Sequence, residues 1–430
     1  MYKALVFAHG HPEHSPGGGE IAAHQMFQEI KSRPDWSAVF VARIDPALAS
    51  RPVSLVAGDD EIGLATRSEF FRFHNEDEVF LFETLPELLR RVKPDVIHFH
   101  HFLHLGIEMI KVINELCPDT PVVLTLHEYY AICNNNGQMI TTVGDRLCRK
   151  SSPTACSKCF PSVPQEEFFL RERLIKAHFG GVDHFISPSH FLKQRYADWS
   201  LPAERISVIE NGQSPAQRLP ARELMGMKDR RGRFSYFGQL QRFKGLEILV
   251  DAMKLIPDEL CWPKGPMRLA IHGTGLQWQP KAFQDRIHAS LASLGERVKL
   301  YGRYQTDELP LLMAEADWVV MPSIWWENSP IVIQEAQNFG RPLVVSGIGG
   351  MAEKVENNVN GIHVRPNDPQ SLADGLIKAA FSEGLWEQCA AGAKAPPTLR
   401  ETVDATLAIY HALMEAYGRA RAPLTHAAAQ

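Results

Sequence analysis

Two glutamates, Glu327 and Glu335, stand eight positions apart in the stretch Ser323-Ile-Trp-Trp-Glu-Asn-Ser-Pro-Ile-Val-Ile-Gln-Glu335. The pattern between them predicts a helix start, with Ser329 as N-cap, Pro330 as first helical residue and Gly340 as the stop. A helix start presents unpaired N–H groups and partial positive charge, which suits an anion such as a diphosphate. Glu327 falls in the loop before that start, and Glu335 falls in the helix about 7–8 Å along its axis. A ligand with an anionic middle and hydroxyl-rich ends, as a nucleotide sugar has, fits this layout.

Four glycine-bearing turns accompany the pair. Pro16-Gly-Gly-Gly-Glu20 opens a helical pattern after the first strand, and Gly18 and Gly19 would let backbone N–H groups approach a ligand. Phe237-Gly-Gln-Leu-Gln-Arg-Phe-Lys-Gly245 ends another strand, with Lys244 expected to begin a helix and Arg242 nearby. Either cation could meet a phosphate. Gly273 and Gly275 follow His272, and Gly349 and Gly350 follow Ser346. A single such turn is as readily a structural bend; their convergence on strand ends is what points to a ligand.

His127 ends a strand candidate and precedes Glu128-Tyr-Tyr130, where an imidazole can donate a hydrogen bond or move a proton. His98, His100, His101 and His104 cluster in sequence, but the strand turns among them and a shared metal is not expected. Cys133, Cys148, Cys156 and Cys159 are spaced C-x14-C-x7-C-x2-C, which suits a structural tetrahedral zinc site stapling a loop. Free thiols or a redox pair are the alternatives. Phe168–Lys176 reads as a basic amphipathic helix. It could touch anionic lipid, although an ordinary solvated face is the better explanation.

The elements that must position these residues alternate short apolar runs with longer helical patterns. Strands are expected at Lys3–Ala8, Ala38–Arg43, Val96–His100, Val122–Leu126, Val182–Ser187 and Arg205–Ile209. The series resumes with Arg233–Phe237, Arg268–His272, Arg297–Tyr301, Trp318–Met321, Pro342–Ser346 and Gly361–Val364. Such runs separated by helices indicate an α/β fold of two doubly wound parallel sheets, whose ligands sit at the carboxyl ends of the strands. The pattern restarts after a polar linker, Asn211–Pro220. The expected division is 1–212 (with the cysteine loop 133–159), 221–395, a final helical segment 396–420 with its pattern over Arg400–Tyr417, and a loose tail at 421–430. Leu48–Leu81 carries no clear pattern.

The chain has 430 residues, 45% hydrophobic and 22% charged, with a net charge of −5 that gives no reason to expect nucleic acid as partner. No apolar run reaches membrane-span length, and the first apolar stretch reads as a buried strand rather than an export signal. Seven cysteines do not suggest a disulfide framework. The expectation is a cytoplasmic protein.

Together these residues resemble the retaining glycosyltransferases of family 4, which have the GT-B fold, most strongly from Phe234 to Pro366. Glu327 and Glu335 resemble that family's Glu, seven residues, Glu motif. The resemblance implies two Rossmann-like domains facing a cleft, with the final helix returning to brace the first. Glu327 would contact donor-sugar hydroxyls and Glu335 the ribose; Lys244 would bind the donor diphosphate. Gly17–Gly19, Gly349 and Gly350 would line the cleft, and His127 would be the histidine beside the transferred sugar. Gln239 stands where the family often has Arg, leaving Arg242 as a substitute. Ser329-Pro330 replaces a common Phe-Gly pair, so amides from Ile331 onward would serve the anion.

The resemblance implies a nucleotide diphosphate sugar donor, a sugar, lipid-linked or other hydroxyl acceptor, and no cofactor for catalysis. Rival readings are a glycoside hydrolase, which uses two carboxylates across a sugar, a nucleotide-sugar epimerase of the same architecture, and a zinc-stapled sugar-binding protein without turnover.

Overall fold

The computed structural model describes residues 1–15, 17–45, 53–55, 59–226 and 229–421. The chain divides into two compact units, Met1–Gly212 with Pro397–Gln430, and Gln213–Pro396.

The first unit holds eight strands: β1 Tyr2–Ala8, β2 Trp36–Arg43, β3 Val53–Leu55, β4 Glu61–Leu64, β5 Val96–Phe99, β6 Val122–Thr125, β7 His184–Ser187 and β8 Ile206–Val208. Their order is β3-β4-β2-β1-β5-β6-β7-β8. All neighbours are parallel except β3 and β4. The central strands are apolar because both faces are covered: Leu5, Val6, Val96, Ile97, Val122 and Val123 are fully buried. The β3–β4 pair lies in the Leu48–Leu81 segment, which carries no clear periodicity. Further on, an isolated antiparallel bridge pairs Ser68 with Asn75, and the segment runs into the π-helical turn Phe80–Thr84.

The second unit holds β9 Arg233–Phe237, β10 Arg268–His272, β11 Val298–Gly302, β12 Trp318–Met321, β13 Leu343–Ser346 and β14 Gly361–Val364. They form one parallel sheet in the order β11-β10-β9-β12-β13-β14. Trp318, Val319 and Val320 in β12 are fully buried at its centre.

At the joints, one expectation shifts and one holds. The stretch read as a linker is held by the second unit from Gln213 on. Arg341, itself buried, donates to the carbonyls of Leu219 and Pro220, and Asn338 donates to that of Ser214. The final helix, Leu399–Arg421, belongs to the first unit, where Val403, Leu407 and Tyr410 join the core of β1, β2 and the Gly18–Lys31 helix. Most of the expected tail at 421–430 lies outside the described residues. No helix among the described residues is long and apolar enough to cross a membrane.

Candidate functional site

In the second unit β9 stops at Phe237 and the chain turns through Gly238. Lys244 closes a short 3-10 turn, Arg242–Lys244, and the helix starts only at Leu246, two residues later than expected. Gly245 between them takes a left-handed φ of 77°, and a Cβ there would lie 2.0 Å from the Pro322 carbonyl oxygen. Glycine therefore lets this turn press against the loop that leads to Glu327. The Ile324 N–H then donates to the Phe243 carbonyl at 2.9 Å and ties turn to loop.

The consequence is direct contact between two residues the sequence placed at separate tasks. Lys244 Nζ donates to Glu327 Oε1 at 2.7 Å. The same oxygen accepts from Ser323 Oγ at 2.7 Å and Trp325 Nε1 at 2.8 Å, and the ammonium lies 5.1 Å from the centroid of a Trp325 ring. Glu327 is buried, and a cation and several donors compensate its carboxylate for the lost hydration. From the other side the Gly350 N–H donates to the Glu327 carbonyl at 2.6 Å. A Cβ on Gly350 would lie 1.9 Å from the Asn328 carbonyl oxygen. Gly349 and Gly350 thus seat the Gly349–Lys354 helix against the Glu327 loop, rather than merely opening space.

The helix carrying the second glutamate runs from Ile331 to Asn338 with Pro330 as its cap, at φ −68° and ψ 121°. Ser329 is not the N-cap: its hydroxyl is buried without a hydrogen-bond partner among the described residues. Proline's fixed φ suits the extended cap position as well as the first helical one, so the boundary moves by one residue. Gly340, at φ 72°, ends the helix as expected, its N–H donating to Gln337. Glu335 is half-buried, and its carboxyl has no hydrogen-bond or ionic partner among the described residues. Burial pushes its carboxyl up to about 7.

Other expected donor-side residues are spread around this unit's strand ends. Gln239 is exposed, its carbonyl accepting from Tyr236 and its amide from Gln241. Arg242 is exposed on the turn. Gly273 packs against the Gly238 carbonyl, and Gly275 opens the Leu276–Trp278 turn.

The first unit's strand ends carry histidines. The order β1-β5-β6 places His9, His100, His101 and His127 side by side. His100 Nδ1 and His127 Nε2 are 2.9 Å apart and share a proton, one ring donating to the other, with the rings stacked at 5.1 Å. His101 Nε2 lies 2.8 Å from Glu128, and His9 Nε2 lies 3.1 Å from Glu20, which is buried in the Gly18–Lys31 helix. Gly18 starts that helix after Gly17, and a Cβ on Gly19 would sit 3.6 Å from His9 and 3.7 Å from His127. The glycine turn therefore faces these rings. Burial, then neighbouring His101 and His9, pushes His127 down to about 3, and burial holds His100 and His101 well below the usual range. At neutral pH these rings are uncharged hydrogen-bonding groups. Burial raises Glu128 to about 8.

The four clustered histidines do not share a metal position. His98 is spoken for by Tyr410 at 2.5 Å and Thr125 at 2.7 Å, and His101 Nδ1 accepts from the Leu103 N–H. The four cysteines lie in one region, where Cys133 senses Cys148 and Cys156, and burial raises its thiol to about 11. None is in a disulfide, and among the described residues the single group of three or more metal-ligating atoms within 4.8 Å does not include them. Cys148 and Cys156 each sense Cys159 in turn, so the four thiols are neighbours.

The basic helix is also different from its sequence reading. It spans Gln165–Phe179, and Arg171 turns inward to the carbonyls of Phe71, Tyr130 and Ala131. Lys176 pairs with Glu172, while Phe169 and Leu170 are exposed.

Sequence reasoning missed His9, Glu20 and His100 as site residues, and Ser323 and Trp325 as supports of Glu327. The histidines were visible in His9-Gly-His-Pro-Glu-His14 and after β5, but their meeting depends on strand order.

Two family profiles match the chain. One, described as Glycosyltransferase Family 4, covers residues 16–217, and the other, Glycosyl transferases group 1, covers 231–380. The chain belongs to glycosyltransferase family 4. Within the family, an uncharacterized glycosyltransferase of Methanocaldococcus jannaschii is 30% identical over 250 residues, 54% of this chain and 61% of that protein. A D-inositol 3-phosphate glycosyltransferase of Mycolicibacterium vanbaalenii is 29% identical over 238 residues, 52% of each chain. The chain thus spans about half to three fifths of the length of these curated relatives. Anabaena HepE, solved with UDP and glucose, superposes with a TM-score of 0.64 at 18% identity, covering 96% of this chain and 100% of that one. Sucrose-phosphate synthase of Thermosynechococcus elongatus gives 0.65 at 20%, covering 98% and 99%. The family 4 chain has the GT-B fold.

Proposed function

We propose that the protein transfers a sugar from a nucleotide diphosphate sugar to an acceptor hydroxyl, with retention at the anomeric carbon, in bacterial polysaccharide or glycoconjugate synthesis. The observation that carries the reading is the Lys244–Glu327 pair beside the start of the Ile331–Asn338 helix. Lys244 is only partly buried and can turn to a diphosphate. Glu327 concentrates three donors on one oxygen, leaving the other for sugar hydroxyls. Two further groups want a ligand: the orphaned Ser329 hydroxyl and the lone Glu335 carboxyl, which suits ribose hydroxyls.

In the transfer, the bond from the anomeric carbon to the diphosphate oxygen breaks and a bond to the acceptor oxygen forms. The acceptor's proton passes to the departing phosphate oxygen, so no dedicated base or cofactor is required. Lys244 and the amides from Ile331 onward would stabilise the charge gathering on that oxygen. The second unit would hold the donor. The first unit, with neutral His127 as a hydrogen-bond donor to a sugar hydroxyl, would meet the acceptor. HepE was solved with UDP-glucose, and an Escherichia coli relative (27% identical over 201 residues) is named a galactosyltransferase for a diphosphoundecaprenol-linked sugar. A lipid-linked acceptor would suit exposed Phe169 and Leu170, through peripheral contact with the inner membrane face.

The test is incubation with a panel of nucleotide sugars, with and without sugar acceptors, scoring donor-dependent thermal stabilisation and nucleotide release. Stabilisation by one donor and acceptor-dependent release are expected. Conversion of the donor to its epimer without release supports the epimerase instead, and stabilisation without release supports a binding protein.

A further inference from the structure

The first unit carries a second cluster that the proposed transfer does not use. His11 follows β1, His24 lies on the Gly18–Lys31 helix, and Glu61 begins β4. The Nε2 atoms of both histidines lie 2.9 Å from the same oxygen, Glu61 Oε2. All three ligand atoms lie within 4.8 Å of one another, and among the described residues this is the one such group. His11 and Glu61 are buried and His24 is half-buried.

We propose that these three residues bind a divalent transition metal, with zinc(II) the ion that fits. Two imidazole nitrogens and one carboxylate oxygen form a borderline-soft donor set, and three protein ligands leave one position for water. The surroundings are those of a prepared site. Gln28 Nε2 donates to Glu61 Oε1 at 3.1 Å and so turns Oε2 toward the two rings. The Phe40 ring lies 5.8 Å from the His11 ring and 5.3 Å from the His24 ring, excluding water on that side. Two contacts compete: the Glu13 N–H, 3.3 Å from His11 Nδ1, which metal on Nε2 would loosen, and a long 3.5 Å contact of Gln28 Nε2 with His24 Nε2, which the metal would displace.

Such an ion would join three elements that otherwise meet only through side chains. It would fix the loop between β1 and Gly17, and with it the start of the helix carrying Gly18, Gly19 and Glu20. Its work is to brace the turn that faces His9 and His127; it takes no part in the transfer. The alternative arrangement uses protons alone, with both rings donating to Glu61.

The experiment uses the full chain, stripped with a chelator and titrated with cobalt(II), then displaced by zinc(II). One equivalent of cobalt is expected, with visible d–d absorption and without the intense near-ultraviolet sulfur-to-cobalt band that the cysteines would give. His24→Gln and Glu61→Gln should each weaken binding at least about 100-fold, beyond what outer-sphere changes produce. The melting temperature should rise with zinc in the parent chain and stay unchanged in His24→Gln, a half-exposed position whose folding is checked by circular dichroism. Absence of cobalt binding, a thiolate band in place of the expected spectrum, or undiminished affinity in His24→Gln overturns the proposal.

Discussion

The carboxyl ends of the two sheets solve the burial of polar groups in opposite ways. In the second unit charge is retained: Glu327 lies buried, but Lys244, Ser323 and Trp325 all donate to it. In the first unit charge is given up. His100, His101 and His127 are packed so closely that burial and repulsion from neighbouring histidines keep them neutral, and each has at least one ring nitrogen hydrogen-bonded to a neighbour. One doubly wound architecture therefore presents an ionic surface in one place and a neutral hydrogen-bonding surface in another. The first suits an anion flanked by hydroxyls, and the second suits uncharged hydroxyls alone.

The contrast predicts unequal losses. Removing the permanent charges should cost most: Lys244→Ala and Glu327→Ala should each lower turnover by about 100- to 1000-fold, the usual scale for lost electrostatic stabilisation. Circular dichroism should report an intact fold, and near-parental rates in both would refute the donor assignment. His127→Ala should cost less, roughly 10- to 100-fold in kcat. Because the ring is already neutral, the parent's pH–rate profile should show no inflection near pH 6.5 that disappears in this variant.

Glu335 lies between these extremes, a carboxylate whose environment favours protonation. Its pKa is raised from 4.5 to about 7, so the folded chain binds this proton more tightly than the unfolded chain. The resulting stabilisation is fully present below about pH 4.5 and is lost as pH rises through about 7. A ligand hydroxyl bonding the carboxylate acts in the opposite sense. Nucleotide affinity by calorimetry should rise by up to about tenfold between pH 6 and pH 8, and Glu335→Gln should flatten that slope. The smallest effect is expected at Tyr410→Phe, which removes one buried hydrogen bond to His98. Denaturant unfolding should show a loss of about 1 kcal/mol, with the Lys244 site unaffected.

Much of the sheet architecture was legible because strands buried on both faces are written as uninterrupted apolar runs. Arg233–Phe237, Arg268–His272, Trp318–Met321 and Gly361–Val364 have the bounds the sequence implied. The β3–β4 pair was not legible, since three- and four-residue strands are too short to show a periodicity. Within the site, Glu327, Glu335 and Lys244 could be found by type and spacing, but their relations could not. That Lys244 grips Glu327 while Glu335 stands alone follows from the Gly245 turn, whose partner is the distant carbonyl of Pro322. The histidine group needed the non-sequential order β1-β5-β6 before its members became neighbours.

The return of the Leu399–Arg421 helix to the first core reverses the order in which the two units can be finished. During synthesis the residues of β1 and β2 emerge first, yet Val403, Leu407 and Tyr410, which cover them, emerge after the whole second unit has been made. The second unit is one continuous segment and can close as soon as it leaves the ribosome. The earlier-made unit must keep apolar surface uncovered through the translation of everything between, which makes it the natural client of chaperones and the part of a truncated product that aggregates.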